Sequence, residues 1–127
     1  MPFIWFNKAT DPAAPDDLRI GTHAVLYVEA SRPGLVGQTT IHMLGQGSAV
    51  NAVTESIGTV ITGLGGLVAA KRHYLAPTPD DGASTVYISP ANVSYVRPNL
   101  PATPDFWYVT FVDGSEIRIV DPLPAGF

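Results

Sequence analysis

Trp107-Tyr108-Val109-Thr110-Phe111-Val112-Asp113-Gly114-Ser115-Glu116-Ile117-Arg118-Ile119-Val120 reads as a β-hairpin. Side chains alternate across a strand, so Trp107, Val109 and Phe111 share one face while Tyr108, Thr110 and Val112 share the other. Asp113-Gly114-Ser115 is a turn signal, because glycine accepts positive φ without a Cβ clash. Glu116 to Val120 then alternates again and returns Ile117 and Ile119 to the inward face. Upstream, Thr85-Val86-Tyr87-Ile88 and Val93-Ser94-Tyr95-Val96 are two further short strands, separated by Ser89-Pro90.

The same parts occur in the same order earlier in the chain. Leu18-Arg19-Ile20 precedes Gly21 to Val28, and Thr39 to Leu44 runs through Gly45-Gln46-Gly47 into Ser48 to Val53. Ile20 falls on Ile88, Val25 on Val93, Tyr27-Val28 on Tyr95-Val96, Ile41 on Val109 and Leu44 on Val112. Every pair is offset by 68 positions; one residue is then dropped, so that Gly47-Ser48 meets Gly114-Ser115. Order, spacing and turn position agree together, which is the signature of a duplicated unit. The fold class expected is mainly β: two related β-hairpin-containing halves in one small domain, with a short Gly-rich helix between them. The expected boundaries are an N-terminal arm at 1–17, half one at 18–53, a connecting helix or loop at 54–84 and half two at 85–127.

In the connecting segment, Thr54 is the expected N-cap, with Glu55 in the first turn. Ile57, Val60, Ile61, Leu64, Leu67 and Val68 follow at helical spacing. Gly58, Gly63, Gly65 and Gly66 each cost a helix about 1 kcal/mol. A short helix ending near Gly63 to Gly66 is expected, with room for a second turn through Ala69 to Arg72; a buried strand is the competing reading.

Composition narrows the function classes. Of 127 residues only 14% are charged, against roughly 25% in a typical globular protein, while 46% are hydrophobic. So lean a charged surface suggests that apolar surface is covered by a partner subunit. A net charge of −4 opposes a general nucleic-acid binder, which carries a basic face. The absence of cysteine excludes disulfides and thiolate metal sites. Met1 to Phe6 is apolar but short and is followed by Lys8, Asp11, Asp16 and Asp17, so no secretory signal is read there. The apolar run from Ile57 to Ala70 is shorter than the roughly 20 residues of a membrane-spanning helix. The 12 prolines cluster at Asp11 to Pro15, Pro77 to Gly82 and Pro98 to Pro104, where they mark loops.

No constellation of catalytic residues emerges. His23, His42 and His73 lack the close spacing of a metal-binding helix or loop. Gly45-Gln46-Gly47-Ser48-Ala49-Val50 resembles a nucleophile elbow but has Val50 where the last glycine belongs. Gly63-Leu64-Gly65-Gly66 with Lys71 fails as a phosphate loop, since the lysine is displaced and no Ser or Thr follows it. Asp11, Asp16, Asp17, Asp80 and Asp81 read as solvated turn residues, and Asn92-Val93-Ser94 is a sequon without a secretory context. No catalytic, metal or cofactor-binding residue is therefore expected, and no cofactor.

The two ends carry the remaining signal. Phe3-Ile4-Trp5-Phe6 and Pro122 to Phe127 are apolar where termini are ordinarily polar. Phe3, Ile4, Trp5, Phe6, Leu123 and Phe127 are the expected subunit contacts. The sequence order, with Tyr87-Ile88-Ser89-Pro90-Ala91-Asn92-Val93-Ser94-Tyr95-Val96 followed by Val109 to Ile119, resembles the LytTR-type DNA-binding domain of response regulators over about 100 residues. That resemblance implies a β-rich architecture and a regulatory or DNA-binding role. Where the family presents Arg and Lys to phosphates, this chain has Val120-Asp121-Pro122-Leu123. The preferred expectation is a non-enzymatic structural or accessory protein of a homomeric assembly, of which a bacteriophage virion component is one kind. Its partners would be itself or other assembly subunits, with neither nucleic acid nor a membrane span.

Overall fold

A computed structural model describes residues 3–6, 18–30, 38–45, 51–73 and 85–127. Among them are ten strands, one α-helix and two 3-10 turns, so the chain is mainly β. β1 (Phe3–Phe6) pairs with β2 (Leu18–Gly21), and a 3-10 turn at Thr22–Ala24 leads into β3 (Val25–Ala30). β4 (Thr39–Met43) and β5 (Asn51–Val53) follow, then α1 (Ile57–Leu64). β6 (Val68–Lys71) and β7 (Thr85–Ile88) precede the second 3-10 turn at Pro90–Asn92. β8 (Val93–Pro98), β9 (Phe106–Phe111) and β10 (Glu116–Val120) complete the order. The strands form antiparallel sheets β1-β2, β5-β4-β3-β7-β6 and β10-β9-β8.

The hairpin read from residues 107–120 is present as β9-β10, and its expected inward residues are buried: Val109 0%, Phe111 1%, Ile117 5% and Ile119 0% exposed. β-branched and aromatic residues fit such a half-buried pleat, which explains why this segment is strand. The ladder of the first half recurs in the second. β3-β4 pairs Val25↔Met43, Tyr27↔His42, Val28↔Ile41, Glu29↔Thr40 and Ala30↔Thr39. β8-β9 pairs Val93↔Phe111, Tyr95↔Thr110, Val96↔Val109, Arg97↔Tyr108 and Pro98↔Trp107, the same residues advanced by 68. Even the register shift recurs, at Val25/Tyr27 and at Val93/Tyr95. The closing bonds match as well: the Leu44 amide donates to the Ala24 carbonyl at 2.8 Å, and the Val112 amide to the Asn92 carbonyl at 2.9 Å.

The hairpins that precede these ladders also correspond. Ile4↔Ile20, Trp5↔Arg19 and Phe6↔Leu18 in β1-β2 are matched by Val68↔Ile88, Ala69↔Tyr87 and Ala70↔Val86 in β6-β7. The correspondence of registers thus reaches back to β1 and β6. Phe3 to Phe6, read from the sequence as part of an arm, and Val68 to Lys71, read as part of the connecting segment, are both strand. The turn Gly47-Ser48, aligned from sequence with Gly114-Ser115, lies outside the described residues.

The connecting segment departs from expectation in two places. Ser56, not Thr54, caps α1: its Oγ accepts from the Thr59 amide at 3.4 Å, while Ser56 itself holds extended backbone. The anticipated second helical turn at Ala69 to Arg72 is instead β6. Gly65 and Gly66 take φ of 69° and 67°, which ends the helix, and the next residues gain a full ladder against β7. A Cβ at Gly63 would make ordinary van der Waals contact with Ile4 Cγ2 at 3.5 Å and the Phe6 ring at 3.8 Å, so α1 passes close to β1 there.

Two apolar clusters result. The first gathers Phe6, Ile20, Val25, Val28, Ile41 and Val53 under Val60 and Leu64 of α1. The second gathers Val86, Ile88, Val109, Phe111, Ile117 and Ile119, and takes Leu26 and Tyr27 from the first half. Burial of each such side chain stabilises by roughly 1.5–3 kcal/mol. Leu26 and Tyr27 therefore fasten one half to the other.

Candidate functional site

Polar chemistry concentrates at the seam where the halves meet. Its frame is the pairing of β3 with β7, Tyr27↔Ile88, Val28↔Tyr87 and Glu29↔Val86, extended by the Ser89 amide donating to the Leu26 carbonyl at 2.9 Å. Beside this ladder the 3-10 turns touch. The Asn92 side-chain amide donates to the carbonyls of His23 at 2.8 Å and Val25 at 2.7 Å. One donor group thus serves two carbonyls at a turn-to-strand junction.

A charged cluster sits on the same seam. Arg72, just beyond β6, donates through Nη1 to both Glu29 carboxylate oxygens at 3.3 Å and to Tyr27 Oη at 3.4 Å. Its guanidinium lies 5.3 Å from the Tyr27 ring centre. His42 Nε2 lies 3.1 Å from Glu29 Oε1, and its ring stacks on Tyr27 at 4.0 Å. Tyr27 stacks in turn on Phe111 of the second half, at 5.6 Å. The side chains of Glu29 and His42 are each 14% exposed and that of Arg72 20%, so solvent screens this network only partly. Its members come from β3, β4 and the end of β6. Glu29 holds both Arg72 and His42, and the arrangement locks strand to strand.

The hairpin tips are joined at the equivalent positions 45 and 113. Asp113 Oδ2 accepts from the Gly45 amide at 3.0 Å, while Oδ1 accepts from the Ser115 hydroxyl at 2.6 Å and the Ser115 amide at 3.0 Å. The Ser115 hydroxyl bond holds the Asp113 carboxyl below its ordinary value of 3.8, partly opposed by desolvation. A lowered folded-state pKa contributes stability above the unfolded value, and that contribution is lost as pH falls through the folded one. The Gly45 amide resonance should therefore titrate with a midpoint below 3.8. Asp113→Asn should abolish that titration in an NMR pH series.

The three histidines fall in three places: His23 is exposed in the first 3-10 turn, His42 lies in the seam, and His73 stacks on Phe106 at 4.3 Å. No group of three metal-ligating side chains is found among the described residues. A cavity of about 580 Å³ opens beside the seam, with His23, Gly65, Gly66, Ser89 and Asn92 on its wall. Its size suits a small ligand, but the Asn92 amide is committed to the seam carbonyls. Asp11, Asp16, Asp17, Asp80 and Asp81 lie outside the described residues.

Four of the six expected subunit contacts have described side chains. Phe6 is 2% exposed in the first cluster and Ile4 packs against that cluster; for Phe3 and Trp5 the β1 backbone is described but not the side chains. Leu123 packs on the second cluster, and Phe127 is 37% exposed. Sequence reading missed Glu29 and Arg72. The available signal was an acid in an otherwise apolar strand, opposite in charge to its counterpart Arg97. Asn92 was noticed only as a sequon. Compared with protein-family models, curated proteins and solved structures, the chain matches none.

Proposed function

We propose that this chain is a non-enzymatic structural or accessory subunit of a homomeric assembly, of the kind that builds bacteriophage virions, and that its halves are an internal repeat. The observation that carries this reading is how the polar groups are spent. Glu29, Arg72, Asn92 and Asp113 form bonds that tie the two halves, or their strands, to one another. The surface supports it too. Leu44 and Val112, at equivalent hairpin tips, are 42% and 55% exposed, and Tyr95 and Leu100 are 54% and 49% exposed, on a chain with only 14% charged residues. Apolar side chains displayed in this way favour association. Light scattering over a hundredfold dilution should return a multiple of the 13.5 kDa chain mass at the concentrated end. A constant mass of one chain throughout would refute the assembly reading.

A further inference from the structure

We propose that Arg97, Tyr108 and Arg118 form a site for the oxyanion group of a small ligand, a phosphate or a carboxylate. The three residues make one row across the sheet of the second half. β9 pairs Tyr108 with Arg97 of β8 on one side and with Arg118 of β10 on the other. Both guanidiniums reach the same ring: that of Arg97 lies 3.9 Å from the Tyr108 ring centre and that of Arg118 5.7 Å. Arg118 also lies 5.8 Å from the Phe106 ring centre. A guanidinium held at a ring by the π quadrupole keeps its in-plane N–H groups for an acceptor.

The row is short of acceptors. Arg72 in the seam has the Glu29 carboxylate, but the half-buried Arg118 has no such partner among the described residues, and its Nε is buried without a hydrogen bond. Arg97 fares little better. Glu116 Oε2 lies 3.9 Å from its Nη2, beyond hydrogen-bond range, and accepts instead from Thr110 Oγ1 at 3.4 Å. A cation withdrawn from water is stable when paired, and a buried donor without an acceptor calls for one. Two guanidiniums and the Tyr108 hydroxyl can all donate at this ring, and an oxyanion offers acceptors to all three. A nucleobase does not suit the row. The rings on which it would stack are already covered, Tyr108 by Arg97 and Phe106 by His73 at 4.3 Å. The site does not depend on association between chains.

Inorganic phosphate is the probe. Titrated at constant ionic strength, it should shift the Arg118 Nε–H resonance and the Arg97 and Tyr108 amides to saturation in NMR spectra. Sodium chloride at the same ionic strength should leave them in place, which separates a site from screening. Arg97→Gln and Tyr108→Phe, each checked for folding by circular dichroism, should weaken phosphate binding by on the order of tenfold, as losing a hydrogen bond to a charged group does. Arg118→Gln should remove saturation, and Arg118→Lys should restore only part of it, since lysine keeps the charge but not the planar fork. Acetate run in parallel distinguishes the two sources: tighter phosphate marks a phosphate-bearing ligand, tighter acetate a carboxylate, and either supports the site. Shifts that fail to saturate with both anions would overturn the proposal, as would phosphate affinity unchanged in both Arg97→Gln and Tyr108→Phe. A single-stranded oligonucleotide that binds this face equally well in excess phosphate would also overturn it, because bases would then occupy the row. If phosphate saturates the site while the chain sediments as one chain at every concentration, the site stands and the assembly reading falls.

Discussion

Deleting residues 1–6 is expected to destabilise the single chain by about 4 kcal/mol or more. Phe6 is 2% exposed in the first apolar cluster, and removing a buried phenylalanine side chain alone costs about 3–5 kcal/mol. The deletion also strips β2 of its ladder partner and uncovers the helix face at Gly63, where Ile4 and Phe6 make van der Waals approach. The urea midpoint should fall sharply, at protein concentrations where the intact chain is a single molecule as well as where it associates. An unchanged midpoint would place β1 outside the core. The outcome differs from that of an arm lodged on a neighbour, whose loss would lower association and spare the fold.

Glu29→Ala should cost about 2 kcal/mol. It withdraws the carboxylate that accepts from Arg72 and lies 3.1 Å from His42, in a network no more than 20% exposed at any of these side chains. Removing one partner of such a pair leaves the other charge poorly solvated, at about 3–5 kcal/mol when burial is complete and less here. The double variant Glu29→Met with Arg72→Met removes both charges and should return to within about 1 kcal/mol of the parent. Urea unfolding of Glu29→Met, Arg72→Met and the double variant measures the coupling. If the double variant were as unstable as Glu29→Ala, the apolar contacts of the Arg72 stem, not its charge, would be holding the seam.

What could be read from the sequence was what local pattern determines. Trp107 to Val120 alternates with period two around a glycine turn, so strand, turn and inward face were all legible. The offset of 68 read from residue classes is also the offset at which the β3-β4 and β8-β9 registers coincide. β6 was not legible: Ala69 and Ala70 favour helix locally, and their strand state comes from pairing with Tyr87 and Val86, which lie far along the chain. Ser56 rather than Thr54 caps the helix because the helix begins at Ile57, a boundary that propensity places only within a residue or two. The seam was the least legible part. Glu29, His42 and Arg72 meet only once β3 has paired with both β4 and β7, so nothing in their spacing announces them.

Whether this chain assembles with copies of itself is tested most directly by sedimentation velocity across a hundredfold dilution. At the concentrated end the sedimenting mass should be a multiple of the 13.5 kDa chain, and it should fall toward one chain on dilution. A mass of one chain at every concentration would contradict the assembly.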